Sequence, residues 1–359
     1  MRKQFFAKKL MEWFSKNHRP FPWKEEKNPY LVWLSEIILQ QTRVSQGLPY
    51  FERFREKYPT VKALADASED AVMKLWEGLG YYSRARNLHF TAKYIADELE
   101  GVFPSTYEEI LALKGVGPYT AAAIASFAFD LPHAVVDGNV YRVLTRFFGI
   151  EQAIDSTAGK KVLGELAQDL LDHAQPARFN QAIMDFGATH CTPSNPKCGL
   201  CPMREHCLAF RKKLVEKLPL KSKRIVRRER FFNYLIINEE ENIFLRKRTK
   251  KDIWQGLYEF PLYESESLLE EKEMLFQSPV FQEISDPSTL QLVRVSKAFR
   301  QILSHQKIVA RFWEFDSCRA FDTGKSAYFK AERKNLSKFA FPKIIDWYLR
   351  DKSLTLKLL

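Results

Sequence analysis

Residues 191–207 read CTPSNPKCGLCPMREHC, and the rest of the chain is best read outward from this stretch. Four of the five cysteines, Cys191, Cys198, Cys201 and Cys207, fall within it at intervals C-x6-C-x2-C-x5-C, with Pro193, Pro196 and Pro202 holding the intervening loop in turns. A thiolate quartet of this kind is a ligand set, either for tetrahedral zinc or for a cubane iron–sulfur cluster. Zinc sites usually come as two separated C-x2-C-type knuckles. Here one C-x2-C pair is flanked by two lone cysteines, which favours a [4Fe–4S] cluster, although thiolates suit both metals. Unrelated buried or disulfide-bonded cysteines would not cluster so tightly. The fifth, Cys318, reads as a plain buried thiol.

The chain around this loop has 359 residues, 45% of them hydrophobic and 14% aromatic, enough for two cores and far from the composition of a disordered protein. A net charge of +12 and a pI near 9.3 suit a polyanionic partner such as nucleic acid, although anionic lipid attracts the same charge. No apolar run approaches the roughly 18–20 residues of a membrane span, so a membrane role is not expected. Residues 1–19 are basic and amphipathic like a transit peptide, but they include Glu12 and run into Pro20-Phe21-Pro22-Trp23 as a first domain helix would. Without a secretory segment, and with a thiolate cluster, the reducing cytoplasm is the expected compartment.

Up to residue 207 apolar residues recur at helical spacing between breaks at Asn28-Pro29, Tyr58-Pro59-Thr60, Phe103-Pro104-Ser105 and Leu131-Pro132. Residues 208–230 then carry ten Lys/Arg against two Glu around Pro219, the composition of a solvated connector. Beyond it, Phe231 to Ile237, a turn at Glu239-Glu240-Glu241-Asn242, and Ile243-Phe244-Leu245 predict a hairpin. A second strand pair is expected around Ile302 and Lys307 to Phe315, with a closing helix from Pro342 to Leu349. The expectation is a multi-domain chain: an all-α domain over 1–207, a basic linker over 208–229 and an α+β domain over 230–359.

Within the helical region, Leu113-Lys114-Gly115-Val116-Gly117-Pro118-Tyr119-Thr120-Ala121 sits between two helices, the first expected to start at a Ser105/Glu108 capping box. Gly115 and Gly117 allow a tight turn that brings backbone N–H groups and a helix N-terminus up to a phosphate. Two carboxylates stand out. Glu36 interrupts the apolar run 30–40 with Val32, Trp33, Leu39 and Gln40 as its helical neighbours. A helical glutamate is ordinarily solvated, but burial here would raise its pKa and yield a proton donor near neutral pH. Asp137, between Ala134-Val135-Val136 and Gly138-Asn139-Val140, reads as a helix N-cap. The helix N–H groups are expected to hold it ionised, so that a raised acid and a depressed anion share the work of cleaving a glycosidic bond.

The helical hairpin, the Asp that follows it and the cysteine spacing resemble the endonuclease III superfamily of DNA glycosylases. Leu34-Ser35-Glu36 with Leu39-Gln40-Gln41-Thr42, Gly78-Leu79-Gly80-Tyr81-Tyr82-Ser83-Arg84 and Val136-Asp137-Gly138-Asn139 further resemble the adenine DNA glycosylases of the MutY type. Trp254-Gln255-Gly256-Leu257-Tyr258-Glu259-Phe260-Pro261 and Leu303-Ser304-His305 are similar to that family's Nudix-like recognition domain, so the resemblance spans essentially the whole chain. It implies a helix-hairpin-helix glycosylase domain carrying a [4Fe–4S] cluster on the four cysteines, and a partner DNA duplex with adenine opposite 8-oxoguanine or guanine, bound by a monomer. It further implies that Glu36 protonates adenine at N7 and later activates water, that Asp137 stabilises or traps the C1′ cation, and that Tyr119 and Asn139 position them. Trp23 would line the base pocket, Gln41, Thr42 and Tyr81 would contact the duplex beside the lesion, and Ser304 and His305 would read the 8-oxoguanine.

Two departures qualify the resemblance: Leu303 stands where many members have phenylalanine, and Lys24 where an arginine is common. Lys114 replaces the usual hairpin proline and is expected to face a phosphate. A bifunctional pyrimidine-lesion enzyme would need an amine for a Schiff base, and the family's lysine position holds Tyr119. A non-catalytic iron–sulfur DNA binder would have no use for both Glu36 and Asp137. The Nudix hydrolase pattern G-x5-E-x7-R-E-x2-E-E fails after Gly256, where Leu262 takes the first glutamate's place, so the second domain is expected to bind without hydrolysing.

Overall fold

The computed structural model describes residues 2–222, 226–284, 289–317 and 327–351; Cys318 lies outside them. The chain divides into two compact units, Met1–Asp66 with Phe90–Arg224 and Ala67–His89 with Ile225–Leu359.

The first unit is helical: α1 (Arg2–Asn17), α2 (Pro29–Leu39), α3 (Val44–Lys57) and α4 (Val61–Ala65) come first. The chain then contributes α5 (Glu69–Trp76) to the second unit, and α6 (Ser83–Glu98) runs from one unit into the other. The helical unit continues with α7 (Tyr107–Ala112), α8 (Pro118–Phe129), α9 (Gly138–Phe148), α10 (Thr157–Leu170), α11 (Pro176–Thr189) and the short α12 (Leu208–Arg211). The sequence breaks act as helix starts: Asn28 caps α2 with Pro29 in its first turn, and Thr60 caps α4. The capping box of α7 is Thr106 with Glu109, one residue beyond the expected Ser105/Glu108 pair, because the extended Pro104-Ser105 segment delays the first helical turn.

Helices α2 and α8 are apolar nearly all round and pack on each other, as helices without a polar face must. Phe6, Leu10 and Phe14 of α1 close with Val143, Leu144 and Phe147 of α9, Leu163 of α10 and Phe179, Ile183 and Phe186 of α11 into one core. Each such side chain contributes about 1.5–3 kcal/mol on burial. The basic stretch expected as a solvated connector is held on this unit as far as Ser222. Ala209 and Leu218 are buried, Ile154 N–H donates to the Leu220 carbonyl, and Ser222 bonds to Asp155. The lysines and arginines between those anchors are mostly exposed, which is why composition alone reads as a free linker.

The second unit is a mixed sheet of β1 (Arg228–Glu239), β2 (Asn242–Lys247), β3 (Tyr258–Glu259), β4 (Leu262–Ser265), β5 (Leu290–Val295), β6 (Phe299–Ile302), β7 (Gln306–Ser317) and β8 (Phe329–Glu332), with α13 (Lys272–Phe276), α14 (Pro279–Ile284) and α15 (Lys343–Leu349). Strands run in the order β3-β2-β1-β7-β5, with β4 on β1, β6 on β7 and β8 on β2. The long central pair β1 and β7 is parallel from Arg228↔Gln306 to Asn238↔Asp316 and every other pair is antiparallel. The expected hairpin, the β6–β7 pair and the closing helix are all present. The chain after Gly256 runs into β3 and β4, so no glutamate-rich helix forms there. Residues 67–89 are bonded into this unit: Asp70 to Lys247 and the Tyr258 hydroxyl, Lys74 to the Phe339 carbonyl, Glu77 to Phe341 N–H and Arg86 to the Gln255 carbonyl.

Candidate active site

Glu36 projects from the buried helix α2 and is 7% exposed. Burial, reinforced by the charge of Asp137, pushes its carboxyl up to about 7, against a hydrogen bond from the Tyr119 hydroxyl that pulls the other way. Tyr119 is set in the first turn of α8 by the hairpin, with Gly115 at φ +85° and Pro118 opening the helix. Burial and the two nearby carboxylates hold its phenol well above the usual tyrosine value.

Asp137 caps α9, accepting from Val140 N–H at 2.8 Å and from Asn139 Nδ2 at 2.6 Å. The expected depressed anion is not found. Burial outweighs these hydrogen bonds and the charge of Arg142, so Asp137 is raised above the ordinary aspartate value. Sequence shows the cap but not how little water reaches it. Both carboxyl groups therefore hold protons more tightly than in water, and Glu36 is the one brought to neutrality.

Asn139 is fixed from behind. Arg142 Nη2 donates to Asn139 Oδ1 at 2.8 Å and to the Gly187 carbonyl at 2.7 Å, while its Nε donates to the Cys191 carbonyl at 2.7 Å. Helix α11 approaches so closely that a Cβ on Gly187 would stand 2.7 Å from Asn139 Cβ. Sequence reasoning passed over Arg142, although a basic residue three positions after Asn139 on an amphipathic helix is a signal that could have been followed. It also passed over Asp185, 2% exposed in its side chain, which accepts from Arg19 at 2.6 and 2.9 Å and from Lys24.

One cavity gathers Trp23, Glu36, Gln41, Thr42, Gly117, Tyr119, Asp137 and Asn139, with Lys24, Gln181 and Asp185 also on its wall. Trp23 stacks on Phe21 at 5.3 Å and meets the edge of Phe51. Gln41 is exposed with φ +54°, a left-handed backbone that a side chain adopts only under constraint. Gly115 sits in the α7–α8 turn outside the cavity lining. Lys114 beside it rests its ammonium 3.8 Å above the Phe90 ring.

Tyr81, Ser304 and His305 are brought together elsewhere, in a pocket of the second unit with Gly78, Gly80 and Trp254. Ser304 and His305 form the tip of the β6–β7 hairpin, closed by Leu303 N–H to the Gln306 carbonyl. Ser304 Oγ lies 2.5 Å from the Tyr81 hydroxyl, and Tyr81 has φ +49°.

The four cysteines line a third cavity with Arg146, Phe186, His190 and Met203. Burial and the neighbouring cysteines push the Cys201 thiol up to about 12, and Cys198 and Cys207 are raised as well. Thiols that resist ionising together need multiple positive charges to become thiolates, and an iron–sulfur cluster brings them. Arg146 donates to Cys191 Sγ at 3.5 Å. Among the described residues no three His, Cys, Asp or Glu side chains are drawn together around a single metal-ion position.

Three families match the chain: the HhH-GPD superfamily base excision DNA repair proteins over 34–168, the iron–sulfur binding domain of endonuclease III over 191–207 and the NUDIX domain over 233–351. An adenine DNA glycosylase of Buchnera aphidicola subsp. Acyrthosiphon pisum (strain APS) is 35% identical over 266 residues, 74% of this chain and 76% of that protein. One from Mus musculus is 46% identical over 216 residues, 58% of this chain and 42% of that longer protein. Among solved structures, a thermostable thymine-DNA glycosylase is 30% identical with a TM-score of 0.55, covering 59% of this chain and 97% of that one.

Proposed function

The chain belongs to the adenine DNA glycosylases, and from that membership we propose that it excises adenine paired with 8-oxoguanine or guanine by hydrolysis alone, leaving the strand uncut. It is a base-excision repair hydrolase whose partner is DNA, and its cysteines hold a [4Fe–4S] cluster. The observation that carries the monofunctional reading is the Tyr119 hydroxyl bonded to Glu36 within reach of the charge of Asp137.

Adenosine is extruded into the cavity at a cost of a few kcal/mol, less at a mispair. Glu36, poised near neutrality, gives its proton to adenine N7, the C1′–N9 bond breaks, and the adenine departs with the bonding electrons. Asp137, held by Val140 N–H and Asn139, stabilises the C1′ cation or bonds to it. Glu36, now ionised and hydrogen-bonded by Tyr119, takes the proton of the attacking water. Strand cutting by a Schiff base would need an amine. Among the described residues lining the cavity Lys24 is the sole one, and it is engaged by Asp185. Cys191, Cys198, Cys201 and Cys207 would hold the cluster, which would cross-link their loop into one element. Tyr81 and Gln41 enter the duplex beside the lesion, Gly115, Gly117 and Thr42 hold the strand, and Ser304 and His305 report the N7 hydrogen and O8 that distinguish 8-oxoguanine from guanine. The enzyme acts as a monomer, in the cytoplasm where a thiolate cluster survives. No described helix is long and apolar enough to cross a membrane.

The test is single-turnover cleavage of a duplex carrying one A opposite 8-oxoguanine, beside an A·T duplex, worked up with and without alkali. Breaks in the mispaired duplex alone, and only after alkali, are expected. Borohydride trapping at the rate of base release would overturn the hydrolytic assignment, and adenine release equal from both duplexes would overturn the mispair reading.

A further inference from the structure

Tyr81 stands in a backbone that a tyrosine rarely adopts, with φ +49° directly after Gly80 at φ +80°, and its side chain is largely exposed. A left-handed residue other than glycine persists only where its surroundings hold it. What holds this one comes from the two helices that flank the loop. Trp76, the last residue of α5, donates from its indole N–H to the Gly80 carbonyl at 3.0 Å, and Arg84, in the first turn of α6, donates from Nη2 to the same carbonyl at 3.2 Å. The backbone N–H of Arg84 donates to the Tyr81 carbonyl at 2.9 Å. Its guanidinium lies 5.0 Å from the centroid of the Trp76 ring and 5.5 Å from that of Tyr81. Burial lowers the guanidinium to about 10, so it stays a cation at neutral pH, as a contact with ring faces requires. An arginine in a DNA-binding chain ordinarily reaches out to a phosphate. Arg84 is 8% exposed and is turned inward against an exposed tyrosine.

We propose that Arg84 is a positioning residue for Tyr81: it locks the Gly80-Tyr81 turn and backs the tyrosine ring, so that the ring meets the duplex in one pose set before DNA arrives. An aromatic wedge already in place gives more of its stacking energy to the base step it enters, because less is lost in ordering it. Arg84 lines neither the catalytic cavity nor the pocket that holds Tyr81 and Ser304, so it acts through Tyr81. The inference rests on the reading of Tyr81 as the residue that enters the duplex beside the lesion.

The test is a double-mutant cycle on the full chain. The duplex carries A opposite 8-oxoguanine, with 2-aminopurine beside the 8-oxoguanine, where its fluorescence rises as a wedge unstacks it. Tyr81→Ala should lower single-turnover excision roughly tenfold, the worth of one base–aromatic stack, and abolish the fluorescence rise. Arg84→Gln should lose most of both, and the double variant should be no slower than Tyr81→Ala alone. The slope of log K against log salt should be the same in Arg84→Gln as in the wild type. Additive losses in the double variant, or full rate and fluorescence in a folded Arg84→Gln, would overturn the proposal. So would a salt slope smaller by about 1, which would make Arg84 a phosphate ligand. Tyr81→Ala without effect on either rate or fluorescence would instead overturn the wedge reading on which the proposal stands. Should Arg84→Gln fail to fold, the wild-type protein with isotope-labelled arginine and tyrosine decides the matter by nuclear Overhauser contacts between the Arg84 side chain and the Tyr81 ring. These are expected both free and on the duplex, and their absence from either state would sink the proposal.

Discussion

Glu36 is 7% exposed and feels little but Tyr119, Asp137 and the apolar walls of α2 and α8, whereas Ser304 sits half-buried at a hairpin tip beside an exposed His305 and a Tyr81 that is 41% exposed. The first region works by excluding water, because a carboxyl group donates a proton near pH 7 only where its anion is poorly solvated. The second is open to solvent, as the proposed reading of a base edge that arrives with the duplex requires. Substitutions in the first should therefore act on rate and on its pH dependence, and in the second on discrimination.

Glu36→Gln should lower single-turnover excision by about 10²–10⁴-fold while leaving duplex affinity nearly unchanged. For the wild type the rate should fall as pH rises through about 7, where Glu36 loses its proton. Stability carries the same signature. The folded carboxyl binds its proton more tightly than the unfolded one, so stability falls as pH rises from about 4.5 to about 7 and is level above. Thermal unfolding of Glu36→Gln should therefore gain on the wild type across that window by on the order of 3 kcal/mol, and no such pH dependence would mean that Glu36 is solvated. Gly187→Ala comes next: the added methyl must displace Asn139, and a tenfold or so loss of rate with a modest loss of stability is expected, measured by kinetics and calorimetry together. Ser304→Ala should leave the rate at saturation and its pH limb intact, and lower the preference for 8-oxoguanine over guanine by roughly fivefold, the worth of one hydrogen bond. A change in the pH limb there would erase the distinction between the two regions. The smallest effect belongs to Lys114→Ala, which should weaken binding to every duplex alike and reduce the slope of log K against log salt by about 1.

The parts of the fold that depend on near neighbours were legible in the sequence. Cysteine spacing announced the cluster loop, Asn28-Pro29 announced α2, and the Glu240-Glu241 turn announced β1 and β2. Glu36 was legible as a carboxylate breaking an apolar run, and Asp137 as a cap. What escaped depends on distant packing. The rise of Asp137 above its ordinary value comes from burial by elements far along the chain, and the Asp185 pairs with Arg19 and Lys24 join residues more than a hundred and fifty positions apart. The hold of the helical unit on residues 208–222 uses two buried apolar side chains outnumbered by charge, Ala209 and Leu218, and bonds of Leu220 and Ser222 to residues more than sixty positions away.

Asp70, Lys74, Glu77 and Arg86 find their partners among residues 247–341, so they leave the ribosome long before those partners exist. At about 5–20 residues per second the wait for Lys247 is roughly ten seconds or more, during which α5 and the start of α6 have no place in a finished unit. The N-terminal half of the nascent enzyme is thus committed to an unfinished surface until the last strands are made. A truncated message would yield a helical fragment with its α5 segment unsatisfied, a target for chaperones and proteases before it could ever bind DNA.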